Sequence, residues 1–82
     1  MNQTALVDRI VVDPKVMAGK PVIRGTRLTV QYIVGLLASG ASVEEVLGEY
    51  EGLARDDILA CLRYAADMLD NTEVLPLAFD SS

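Results

Sequence analysis

The stretch that decides the fold is TVQYIVGLLASGASVEEVLGEYEGLARDD, Thr29 to Asp57. Thr29 can cap a helix that starts at Val30, because Val30, Ile33, Val34 and Leu37 fall at i, i+3, i+4 and i+7 on one face. Gly40 fits a left-handed stop after Ser39, since only glycine adopts that conformation without steric cost. Ser42 and Glu45 then stand three residues apart, the spacing of a capping box, and open a second helix with Val43, Val46, Leu47 and Tyr50 on its apolar face. Gly52 ends it. The third helix is expected over Arg55 to Leu69, with Ile58, Cys61, Leu62, Ala65 and Leu69 facing the core. Asp56 and Asp57 sit in its first turn, where the helix dipole favours negative charge. The short connection around Gly52 is that of a helix-turn-helix.

Working outward, Arg9-Ile10-Val11-Val12 favours a strand and Asp13-Pro14 a turn, while Pro21-Val22-Ile23-Arg24 is a second short extended segment closed by Gly25. The expected class is mainly α, with a short N-terminal β-hairpin or strand pair ahead of three helices. Residues 1–8 read as a flexible terminus, 9–70 as one domain, and 71–82 as an extended tail interrupted by Pro76. The tail residues Leu75, Leu77 and Phe79 are candidates for docking on a partner or packing back on the chain's own core.

Composition narrows the chemistry. The chain has 82 residues, no histidine and one cysteine, Cys61, which excludes an internal disulfide and disfavours zinc or iron. Neither a signal peptide nor an apolar run long enough to cross a membrane is present, so the expectation is a soluble, cytoplasmic protein without cofactor. Cys61 has no histidine to activate it, and the acid pairs Glu44-Glu45 and Asp56-Asp57 read as capping residues, so no enzyme is expected.

The net charge of −5 is unevenly spread. Arg9 to Arg27 holds five cations against one acid, whereas Leu28 onward holds two cations, Arg55 and Arg63, against ten acids. Lys15, Lys20, Arg24 and Arg27 surround Gly19, Pro21 and Gly25 in a loop ahead of the first helix. Such a loop can grip phosphates, enter a carboxylate-lined cleft through bidentate arginine, or be a solvated turn. It lacks the residue order of a P-loop, which argues against nucleotide binding. The third helix is expected to expose Arg55, Asp56, Asp57, Arg63, Asp67 and Asp70, a set of mostly acidic side chains that a DNA groove would repel. DNA contact, if made, falls to the loop with help from Arg55 and Arg63.

Gly19-Lys20-Pro21, Arg24-Gly25-Thr26-Arg27, Gly40-x-Ser42-x-Glu44-Glu45 and Asp56-Asp57-Ile58 occur in one order that resembles the domain of unknown function 433 family, over about Ile10 to Pro76. The resemblance implies a prokaryotic protein with a helix-turn-helix, homeodomain-like or winged-helix-like core. It also implies an antitoxin role: a homodimer that binds and neutralises a PIN-like ribonuclease toxin, with operator DNA as a further partner of the complex. A stand-alone helix-turn-helix DNA-binding regulator is the alternative. One departure is Ala54, where the family tends to place Thr or Ser as the third helix's cap; losing that acceptor costs about 0.5–2 kcal/mol, offset in part by Asp56 and Asp57.

Overall fold

Two short strands and three helices follow one another in residues 6 and 8–70, the part of the chain that the computed structural model describes. Strand β1 (Ile10–Val11) pairs antiparallel with β2 (Val22–Ile23), Ile10 opposite Ile23 and Val11 opposite Val22. The Arg24 N–H donates to the Arg9 carbonyl at 2.8 Å and extends the ladder. On the other edge of β2, Val22 bridges to Thr29, the Ile23 N–H donates to the Leu28 carbonyl, and the Val30 N–H donates to the Pro21 carbonyl. The strands therefore pair within one chain, and β2 is bonded on both sides. A two-residue strand pair cannot hold itself. It persists because Val22 and Ile23 are both buried.

The helices are α1 (Val30–Ala38), α2 (Val43–Glu49) and α3 (Arg55–Asp70). Thr29 accepts the Tyr32 N–H at 3.0 Å and starts α1. At its end Gly40 turns left-handed (φ +106°). Its N–H reaches the Leu37 carbonyl, and the Ala41 N–H reaches that of Leu36. That pair of bonds is a Schellman stop. Ser42 and Glu45 complete the expected capping box, at 3.0 and 2.8 Å. Stop and start lie two residues apart, so local bonds alone fix the elbow between α1 and α2.

The core is Ile23, Val30, Ile33, Val46, Ile58 and Cys61. Burial of each isoleucine contributes about 1.5–3 kcal/mol. The expected apolar faces of α1 and α2 hold: Val34, Leu37, Val43, Leu47 and Tyr50 pack against this cluster. The expected face of α3 needs correction. Ile58 and Cys61 are fully buried, but Leu62 and Leu69 are 40% and 63% exposed. Its buried side includes Asp57 and Cys61, with Tyr64 packed against the core one turn on. At 100° per residue Leu62 and Leu69 point well away from that line. Leu59, Leu62 and Ala66 instead form an apolar stripe on the solvent side, and Leu69 lies at the edge of a groove between α1 and α3.

Asp57 is the second correction. Expected on the surface, it is 8% exposed. One carboxylate oxygen accepts the Ala54 N–H at 2.9 Å, and the other accepts Arg9 Nη1 at 2.9 Å. The first bond is half of a capping box. Asp57 thus satisfies, from the third helical position, a backbone donor that no Ala54 side chain bonds. The second bond ties β1 to α3. Asp56 stands 3.8 Å from the same guanidinium. Of the expected loose N-terminus only Leu6 and Asp8 are among the described residues, and the expected tail, with Leu75, Leu77 and Phe79, lies outside them.

Removing the Asp57 carboxylate leaves an uncapped helix start and a half-buried guanidinium without its closest anion. Asp57→Ala should cost about 2–4 kcal/mol. Arg55→Ala, which breaks only the exposed Arg55–Glu44 pair, should cost far less, because water screens that pair. Urea titration followed by circular dichroism measures both, and equal losses would contradict the assignment.

Candidate partner-binding loop

After the expected turn at Asp13-Pro14, closed by the Val16 N–H on the Asp13 carbonyl at 2.9 Å, the basic loop is built from two turns of different hand. In the second, Arg24-Gly25-Thr26-Arg27, the Thr26 N–H donates to the Ile23 carbonyl at 2.9 Å, with Gly25 at φ +81°. Positive φ at that position is what a type II turn requires, so Gly25 serves geometry here. Thr26 stitches the turn shut: its hydroxyl donates to the Ile23 carbonyl at 2.8 Å and accepts the Leu28 N–H at 3.0 Å. The first turn was not anticipated. Met17, Ala18 and Gly19 have φ of +50°, +57° and +82° in succession. For an L-residue that conformation costs about 1–2 kcal/mol, so two non-glycine residues store strain between Lys15 and Lys20. Gly19 was a visible signal for it; Met17 and Ala18 give none.

The cations sort into two groups. Arg24 folds back, its Nε and Nη2 donating to the Asp8 carbonyl at 2.9 and 2.7 Å, which makes it a brace for the strand entry. Arg55 pairs with Glu44 at 2.7 Å, and Arg63 Nε lies 3.3 Å from Asp67. The Arg55 hydrogen bond holds the Glu44 carboxyl below its usual range, its own backbone and the Arg55 charge adding to the effect. Lys15, Lys20 and Arg27 differ. All are exposed, and among the described residues their side chains form no hydrogen bond or ion pair.

These groups do not make one continuous patch. Arg24 stands with Asp8, Arg9 and Asp57 at the start of α3. Lys20 and Pro21 instead edge a groove between α1 and the far half of α3, beside Tyr64, Met68 and Leu69. From Asp57 to Met68 is roughly 16 Å along the helix at 1.5 Å per residue. The loop therefore straddles the sheet.

Elsewhere, Tyr32 and Tyr50 share a hydroxyl–hydroxyl hydrogen bond and meet edge to face, their centroids 6.1 Å apart. The Tyr32 hydrogen bond pushes the Tyr50 phenol above its usual range, with desolvation and the charges of Tyr32 and Glu49 acting in the same direction. This contact between α1 and the end of α2 escaped sequence reading because eighteen residues separate the two rings. Among the described residues no group of three or more histidine, cysteine or acidic side chains is placed to hold a metal, and no helix is long and apolar enough to cross a membrane.

A family model described as a protein of unknown function, DUF433, matches residues 10–65. The chain belongs to the DUF433 family. The matched stretch runs from β1 through two thirds of α3 and contains the whole basic loop. Among solved structures, the chain is similar to a DUF433 member protein from Anabaena variabilis ATCC 29413, at 31% identity and a TM-score of 0.74. The likeness covers 82% of this chain and 66% of that one, so this DUF433 protein spans just under two thirds of the length of its structural relative. No curated protein matches it.

Cys61 has no part in the loop chemistry. It is fully buried, and burial, with the Asp57 charge adding, pushes its thiol up to about 12. The reactive thiolate is therefore scarce at neutral pH. A disulfide reagent at pH 8 should leave the native protein unmodified over minutes and label one thiol at once in denaturant. Fast labelling of the native state would contradict this packing.

Proposed function

We propose that this protein is a non-enzymatic, antitoxin-like binding module whose basic loop enters the acidic, metal-holding cleft of a PIN-like ribonuclease and neutralises it. The observation that carries the reading is the sorting of charge. Every arginine outside the loop has an acid partner, while Lys15, Lys20 and Arg27 have none among the described residues. Desolvating an ion pair between partners costs less when the cation has no pair of its own to break. A cleft of clustered carboxylates, built to hold divalent metal, is complementary to three unpaired cations, Arg27 on the turn stitched by Thr26, and Lys15 and Lys20 flanking the turn before it.

The opposite face supports the same choice. α3 presents the exposed Leu59 and Leu62 with Ala66 and Asp70, a surface unsuited to the phosphate-lined major groove. Operator binding, as part of a homodimeric complex with the toxin, would have to use the loop cations that the cleft leaves free.

The double substitution Lys20→Glu/Arg27→Glu should weaken binding to a PIN-like ribonuclease by about 10–100-fold, from charge reversal at a complementary surface, without changing the melting temperature. Arg55→Glu/Arg63→Glu should change it little. Titration calorimetry at two salt concentrations checks both. A ribonuclease that stays fully active with the wild-type protein in excess ends this reading.

A further inference from the structure

Between α1 and the C-terminal half of α3 lies an open groove of about 540 Å³, walled by Val30, Val34, Tyr64, Ala65, Met68 and Leu69. Met68 and Leu69 are 54% and 63% exposed there. Gly35 leaves the α1 wall low, since a Cβ built on it would meet nothing within 4 Å. Lys20 stands at the rim.

We infer that this groove is the seat of the chain's own segment Val74–Phe79. Connectivity argues first. α3 runs to Asp70, beside the groove wall, and the link Asn71–Glu73 spans at most roughly 10–14 Å, which keeps the segment close to Met68 and Leu69. Sequence argues second. Val74-Leu75-Pro76-Leu77-Ala78-Phe79 is an unbroken apolar run, and Pro76 cannot continue α3 as a regular helix. Charge argues third. Glu73 and Asp80 bracket the run, and Lys20 has no acid partner among the described residues.

Concentration separates this occupant from a second copy. A segment on a short flexible link faces its groove at an effective concentration on the order of millimolar, far above the free protein in a dilute sample. A symmetric dimer through this groove would also need about 800 Å² per partner, more than two well-exposed side chains supply. The inference does not depend on the ribonuclease reading, although both draw on Lys20.

A spin label on Gln31→Cys, at the groove edge, tests it in the full chain, because buried Cys61 stays unlabelled. With labelled protein diluted into unlabelled protein, the amides of Leu75, Leu77 and Phe79 should lose most of their signal. The loss should be reversed in Gly35→Trp, which fills the groove, and in Leu77→Asp/Phe79→Asp, which keeps the groove and spoils the segment. Amide spectra of the core report that each variant is folded. Undiminished tail signals, or broadening that appears only when spin-labelled and isotope-labelled copies are mixed, would overturn the proposal.

Discussion

The Asp57 carboxylate joins two parts of the molecule that nothing local would hold together. It accepts the backbone donor at the start of α3 and the guanidinium of Arg9, forty-eight residues earlier. The strand pair is too short to persist alone, and α3 lacks a side-chain cap at Ala54. One buried acid fastens both, through the Ala54 N–H and the Arg9 guanidinium. An exposed pair such as Arg55–Glu44 gives little in comparison, because water screens it and both side chains lose freedom in forming it.

The same contact explains how an acidic chain comes to present positive charge. With Arg9 and Arg24 engaged at the sheet and Arg55 and Arg63 engaged on the helices, the remaining cations are those of the turns. Net charge of −5 is then a poor guide to what the loop meets. The helices carry the negative charge, and α3 gives its solvent side to leucine and aspartate. Local potential, shaped by which charges are already paired, governs approach.

The helices were legible because their signals are local. Thr29, Gly40, Ser42 and Glu45 each act within a few residues, and the observed bonds are those their spacing predicts. What could not be read depends on distant partners. Nothing near Asp57 announces that Arg9 will reach it, so the sequence alone puts it on the surface. The sequence alone puts Leu62 and Leu69 in the core because α3 has apolar residues on both sides, and only the packing of α1 against it selects one. In the loop, the glycines marked the turns but not the hand of Met17 and Ala18. Which cations are unpaired was invisible too, since Arg24 and Arg27 look alike in sequence and only one reaches a carbonyl.

The elbow between α1 and α2 has a kinetic corollary. Its bonds close over a few residues and incur little loop entropy, whereas the contact between Arg9 and Asp57 must wait for a long chain segment to come home. Loop entropy therefore favours closing the elbow before the contact between Arg9 and Asp57. Amides bonded across β1 and β2 should exchange with solvent through a shallower opening than those of Ile33 or Cys61. Opening confined to β1 would loosen the chain ahead of the basic turns while β2, bonded on its other edge and buried in the core, keeps the body intact.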